Sequence, residues 1–183
     1  LPDGSYEAGL KSFAGVSSNQ WVQIELAPFN RAEIDRGADS LQPLGQTTPL
    51  DRAIYSQKTE LAGRGGRAAL VVFSDGRVIS HEAVLDACRN LKAVHGGELC
   101  IFTVQVGDSE SGRELLQSMA TVNGCGKYYD GYAIDTQEGI YGLVRDVMFG
   151  PREIVQVPAA VASPVPMVWS LENILFENDV DVV

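Results

Sequence analysis

An apolar run at residues 68–74, AALVVFS, most constrains what this chain can fold into. Such a run, of strand length and without polar alternation, is typical of a strand covered on both faces in a parallel sheet. Helices and strands are then predicted to alternate at residues 81–94, 99–106, 110–122, 127–129 and 136–149. This order predicts βαβ units with right-handed crossovers, and therefore a three-layer, doubly wound α/β fold with a mostly parallel sheet.

The N-terminal part has a different pattern. Residues 6–14 and 20–29 predict two strands joined by a turn at 15–19, and the short connection favours an antiparallel hairpin at the edge of the sheet. Asn30 is predicted to cap a helix that runs to Ala38. A further helix is predicted from Pro49, with Leu50, Ile54 and Leu61 on its apolar stripe.

Proline marks a change of character beyond residue 151. Pro158, Pro164 and Pro166 predict an extended linker, and the tail at 170–183 has strand-like content but too few residues to fold alone. We therefore expect one domain at 1–152, followed by a linker and tail at 153–183.

Charge and hydropathy exclude two classes of partner. Fourteen Lys+Arg against 24 Asp+Glu give a net charge of −10, which disfavours binding to nucleic acid. This acidity suits divalent cations or basic partners, and it also serves solubility alone. No apolar stretch has the length of about 18 residues that a membrane-spanning helix requires, so no span is predicted.

Three segments in order carry a family resemblance: GQTTPL at 45–50, VVFSDG at 71–76 and CIFTVQVG at 100–107. Together they resemble the von Willebrand factor A (VWA) domain, over roughly residues 6–152. The resemblance is closest to bacterial exported members, often joined to an OmpA-like peptidoglycan-binding domain. The stretch LENILFENDVD in the tail faintly resembles the opening strand of that domain, and the favoured alternative is an ordinary strand or a disordered tail.

The resemblance implies a metal-ion-dependent adhesion site for Mg²⁺. Thr48 would supply a hydroxyl ligand and Asp75 a carboxylate, while Ser74 and Gly76 would form the supporting turn. Mg²⁺ requires six oxygen ligands in near-octahedral geometry, and open α/β sheets bind ligands at the carboxyl ends of their strands. The alternatives are structural, because Thr-Pro is common at a helix start and Asp-Gly is common in a turn.

The strongest motif of the family, Asp-x-Ser-x-Ser, does not occur in these 183 residues. The first strand and helix of the family are therefore predicted to be missing, and Mg²⁺ binding by Thr48 and Asp75 alone is predicted to be weak or absent. We expect the strand slot between Ser12 and Val72 to be filled by a separate N-terminal segment, by a second chain or by the tail.

The resulting functional hypothesis is a protein-binding module of the bacterial cell envelope: periplasmic, outer-membrane-associated or extracellular. Its partner would complete the metal site with an acidic residue. The alternatives are a metal-independent assembly domain and a nucleotide-binding enzyme. Enzymatic activity is not expected, because the glycine-rich stretch at 63–67 precedes a strand, whereas a phosphate loop follows one. His81 and His95 are predicted to lie on helix surfaces.

The three cysteines generate a testable prediction. Cys100 is the second residue of one predicted strand, and Cys125 lies in the turn that opens the next. The two residues should therefore meet at the same edge of the sheet, while Cys88 stays a thiol. A bridge there would stabilise the fold by about 3 kcal/mol. Titration of the denatured chain should find one free thiol. Three free thiols would instead indicate three buried cysteines in a reduced protein.

Overall fold

The computed structural model describes residues 6–13, 22–41 and 48–150. The predicted turn at 15–19, the linker, the tail and the predicted boundary after residue 152 lie outside these ranges. The elements in chain order are β1 (Glu7–Lys11), β2 (Gln23–Pro28), α1 (Arg31–Asp39), α2 (Leu50–Ser56), α3 (Lys58–Leu61), β3 (Arg67–Ser74), α4 (His81–Val94), β4 (Glu98–Gln105), α5 (Glu110–Val122), β5 (Lys127–Asp130), α6 (Gly131–Ile134) and α7 (Gln137–Phe149).

Three strands form a parallel sheet in the order β3-β4-β5. The register pairs Ala68 with Leu99 and continues to Ser74 with Gln105, so β3 and β4 end together. On the other side of β4, Gln105 pairs with Asp130 at the end of β5. The parallel α/β arrangement predicted from the apolar runs is confirmed for these strands, and all three carboxyl ends lie at one edge.

The side chains of β4 alternate between two apolar clusters. Leu99 and Ile101 join the larger cluster with α4 and α5, which contribute Leu91 and Leu115. Cys100, Phe102 and Val104 join a second cluster with Leu143 of α7. Every residue from Leu99 to Gln105 is buried. Helices therefore cover both faces of this strand, which is why its sequence shows no polar alternation.

The N-terminal strands form a separate, two-stranded antiparallel sheet. β1 pairs with β2 from Glu7–Pro28 to Lys11–Gln23, with an irregularity between Ala8 and Leu10, which confirms the predicted antiparallel pair. The expected single sheet is not formed by the described residues: β3 pairs only with β4, and no described strand joins it to the hairpin. The filling of the slot between Ser12 and Val72 stays a prediction.

Glu60 of α3 ties the hairpin to the rest of the fold. Its carboxylate accepts the backbone N–H of Leu26 at 3.1 Å and pairs with Lys11 at 3.6 Å. Lys11 also donates to Ser56 at 3.1 Å. The hairpin is thereby attached to α2 and α3 by polar contacts as well as by Phe13, which packs against the larger cluster.

Side-chain caps set the starts of the longer helices. The side chain of the N-cap residue accepts a backbone N–H from the first turn of its helix at Asn30, Ser80, Ser109 and Thr136.

The predicted continuous helix from Pro49 breaks at Gln57. There Ser56 and Gln57 both donate side-chain hydrogen bonds to the carbonyl of Ala53 and compete with the helical backbone. None of the helices in the described ranges is long and apolar enough to cross a membrane.

A buried carboxylate fixes α7 on the sheet. Asp146 is only 1% exposed. Its oxygens accept hydrogen bonds from Lys127 at 2.8 Å, Tyr129 at 2.7 Å and Arg145 at 2.8 and 2.9 Å. Burial by itself raises the pKa of Asp146, but the hydrogen bonds from these three residues outweigh it and lower the pKa from 3.8 to about 2. Burial and the bond to Asp146 also raise the pKa of Tyr129.

We predict that Asp146→Asn destabilises the fold at neutral pH by about 2 kcal/mol, since the half-exposed Lys127 and Arg145 and the partly buried Tyr129 lose their charged acceptor. The folded-state pKa lies below the ordinary value, so this stability is complete above pH 4–5 and is lost as the pH falls towards 2. Urea unfolding at several pH values should therefore show the two proteins converging in acid. The exposed control Asp35→Asn should match wild type throughout, and a constant deficit of Asp146→Asn down to pH 2 would contradict the assignment.

Candidate functional site at the carboxyl edge of the sheet

The turn that follows β3 is built by its own side chains. The buried hydroxyl of Ser74 accepts the backbone N–H of Gly76 at 3.0 Å. The Asp75 carboxylate accepts the backbone N–H of Arg77 at 3.0 Å through Oδ1. Gly76 has φ +70°, a conformation that residues with a side chain rarely adopt. Ser74, Asp75 and Gly76 thus form the tight turn that the sequence predicted, and the partly buried Asp75 lies in it at the carboxyl edge.

Gly112 in the first turn of α5 presses against this turn. A Cβ atom added to Gly112 would lie 2.0 Å from the carbonyl oxygen of Asp75, and one added to Gly76 would lie 2.4 Å from Cα of Gly112. Neither position has space for a side chain. The backbone of α5 at Gly112 therefore packs directly against the backbone of Asp75 and Gly76 and restricts the position of Asp75.

A polar network that the sequence analysis missed lies beside it, at the end of β4. Gln105 is fully buried and donates to the carbonyl of Ser109 at 2.8 Å, while it accepts the Tyr128 hydroxyl through Oε1. A hydrogen bond with Tyr128 and the nearby carboxylates of Glu110 and Asp130 raise the pKa of the Arg113 guanidinium. The sequence did contain a sign of this network: a single glutamine follows six residues of a buried strand. A side-chain amide at such a position requires hydrogen-bond partners inside the protein.

Thr48 lies just before α2. It is partly buried, and its carbonyl accepts the N–H of Leu50 at 2.9 Å. The N-cap of α2 is Pro49, without a side-chain cap bond, so the Thr48 hydroxyl does not serve the capping role that was its structural alternative. No hydrogen bond links Thr48 with Asp75 among the described residues. Their joint reach to one ion stays a prediction.

The residues present do not fit a complete Mg²⁺ site. Octahedral coordination requires six oxygen ligands, whereas Asp75 offers a carboxylate with one oxygen already engaged by Arg77, and Thr48 would add a single hydroxyl. Within the described ranges, the one group of three acidic, histidine or cysteine ligand atoms that lie together is Glu98, Cys100 and Cys125, and it does not include Asp75.

The two histidines lie at opposite ends of α4, which begins at His81 and has His95 as its C-cap. His81 contacts the hydroxyl of Ser111 at 3.3 Å. The prediction that His95 lies on a helix surface is wrong, because the residue is only 6% exposed. Its ring nitrogens face the carbonyls of Leu61 at 3.4 Å and Gly66 at 3.3 Å, beyond the end of α4. The carbonyl of Leu61 belongs to the end of α3 and that of Gly66 to the loop before β3, and helical periodicity does not reveal contacts so distant in sequence.

The cysteines lie where the sequence analysis expected them, at the amino edge of the sheet. Cys100 and Cys125 are bonded as a disulfide, with Cα atoms 5.0 Å apart. This spacing lies inside the range that a bridge requires. Cys88 is a free, buried thiol whose pKa burial raises to about 12.

No model of a known protein family matches the chain, and no curated protein matches it either.

Two glycines in helices of 13 residues give a matched test of the Asp75 turn. Gly112→Ala should lower the unfolding free energy by about 2 kcal/mol, since its Cβ would overlap the carbonyl of Asp75. Gly142→Ala in α7 meets no atom within 4 Å and should raise it by about 0.5–1 kcal/mol through helix propensity. Urea denaturation measures both. Equal effects of the two substitutions would show that the close approach imposes no constraint.

Proposed function

We propose that this chain is a VWA-type protein-binding module, working in adhesion or assembly at a bacterial cell envelope. The observation that carries the proposal is the Asp75 turn. Asp75 lies at the carboxyl edge of a parallel sheet, in a turn fixed by Ser74, Gly76 and Gly112, and its carboxylate forms no ion pair with any described residue.

The fold supports this placement of the site. In open α/β sheets, ligands bind in the crevice outside the carboxyl ends of the strands. Here β3, β4 and β5 end in register at Ser74, Gln105 and Asp130, and the polar residues of the candidate site follow these strands. We infer a three-layer, doubly wound arrangement in which the hairpin β1–β2 belongs to the same sheet as β3, with one further strand between them.

Within the described residues, β3 has no strand partner on the side away from β4, which supports the additional strand. Phe73, next to the Asp75 turn, is 53% exposed, and Ala69 on the same face of β3 is exposed as well. The residues Leu70 and Val72 on the other face pack against the larger cluster. Unpaired strand edges attract further strands. A separate N-terminal segment of the protein, or another chain, would pair with β3 and cover this side chain.

Metal binding in this proposal depends on that same segment. Thr48 and Asp75 would hold Mg²⁺ only together with further hydroxyl and carboxylate oxygens of the Asp-x-Ser-x-Ser type. An acidic residue of the partner protein would then complete the coordination. A disulfide at Cys100 and Cys125 suits the oxidising conditions of a periplasmic, outer-membrane-associated or extracellular protein.

A second candidate is a metal-independent assembly domain, which the small number of oxygen ligands at the edge favours.

We propose no enzymatic activity. The His81 and Ser111 contact involves no acidic residue on the second ring nitrogen within the described ranges, and the glycine-rich stretch at 63–67 precedes β3.

Calorimetric titration of Mn²⁺ into the full-length gene product distinguishes the two candidates. A metal-dependent module should bind one ion per chain, and Asp75→Asn should weaken this binding at least about tenfold because it removes a ligand charge. Asp108→Asn, on an exposed position after β4, is the matched control and should bind as wild type does. Mn²⁺ binding that Asp75→Asn leaves unchanged, or no binding at all, would favour the metal-independent domain.

A further inference from the structure

The amino edge of the sheet carries a second cluster with its own chemistry. The two sulfurs of Cys100 and Cys125 and a carboxylate oxygen of Glu98 all lie within 4.8 Å of one another. Glu98 and Cys100 are alternate residues of β4 and share one face of the strand, while Cys125 comes from the turn before β5. Glu98 Oε1 is 3.6 Å from the Cys100 sulfur.

Glu98 makes no ion pair with any described residue, although it is an exposed carboxylate beside sulfur atoms. The cluster is also open on one side. Cys100 is fully buried at its base, whereas Cys125 is partly exposed and Glu98 is exposed, so a small ion can reach it from solvent. A disulfide does not use this carboxylate, but a pair of thiolates with a bound cation would.

We propose that reduction of the Cys100–Cys125 disulfide creates a binding site for a thiophilic divalent cation of the zinc class, with both cysteines and Glu98 as its ligands. A dithiol reductant supplies two electrons and two protons: the S–S bond breaks, two thiols form, and the reductant becomes a disulfide. A divalent cation then replaces the two thiol protons, which pass to solvent. Water completes a four-coordinate site.

The spacing suits such an ion. Tetrahedral zinc, with Zn–S about 2.3 Å and Zn–O about 2.0 Å, requires ligand atoms about 3.5–3.8 Å apart. Glu98 Oε1 already lies 3.6 Å from the Cys100 sulfur, and the two sulfurs would separate once their bond is broken. Two sulfur ligands select zinc, cadmium or cobalt over magnesium, which prefers oxygen. The site is therefore independent of the Asp75 turn, which lies at the opposite edge of the sheet.

Cobalt(II) reports directly on thiolate ligation. The chain is reduced with a phosphine, desalted without oxygen and titrated with Co²⁺, with the untreated disulfide form in parallel. We expect one Co²⁺ per reduced chain, with sulfur-to-cobalt charge-transfer absorption and tetrahedral d–d bands, both absent from the disulfide form. Zn²⁺ should displace Co²⁺ and raise the melting temperature of the reduced chain.

Matched variants assign the ligands. Cys125→Ser should abolish the charge-transfer band, whereas Cys88→Ala should leave it intact because Cys88 is a separate buried thiol. Glu98→Gln should weaken Co²⁺ binding at least about tenfold. Glu114→Gln, an exposed glutamate of α5, should not.

Four results would overturn the proposal: no charge-transfer band after reduction, a band that survives Cys125→Ser, equal affinity of the Glu98→Gln and Glu114→Gln variants, or loss of the helical circular dichroism signal on reduction. None of these results depends on Mn²⁺ binding at Asp75. The experiments can therefore contradict the reduced-cysteine metal site without contradicting the proposed adhesion function, and the reverse.

Discussion

Burial of β4 on both faces is the constraint on which the rest of the described α/β fold depends. Because water reaches neither face, each polar group on the strand requires an internal partner. Thr103 donates to the carbonyl of Leu116 at 2.8 Å, and Gln105 bonds to Ser109 and Tyr128. These bonds fix the start of α5 and the end of β5 relative to the central strand, and through Gly112 they position the turn after β3.

Local signals predicted much of this fold. The apolar run of β3 and the capping residue Asn30 lie in sequence within or next to the elements they define, and both α4 and α5 have the predicted bounds. Features that depend on contacts distant in sequence were not predictable. The burial of His95 against the loop before β3, and the Asp146 network that joins α7 to β5, each require knowledge of which elements pack together.

The candidate site likewise combines a local feature that the sequence predicted with a contact between distant residues that it did not predict. The sequence predicted a turn at Ser74, Asp75 and Gly76, because that pattern acts locally. It did not predict the contact of this turn with Gly112, 36 residues beyond Gly76 in the sequence, since a helical glycine gives no sign of what lies against it. The two edges of the sheet differ in chemistry, with the Asp75 carboxylate at one edge and the Cys100–Cys125 disulfide at the other.

The bond between Glu60 and the backbone of Leu26 has a consequence for self-association. An edge strand with free amides is a template on which the strand of another molecule can add. Here one outward amide of β2 is occupied by a carboxylate that Lys11 also holds, so an incoming strand would have to displace a charged side chain before it could pair in register. Within the described hairpin, Glu60 therefore hinders the addition of a further strand at Leu26.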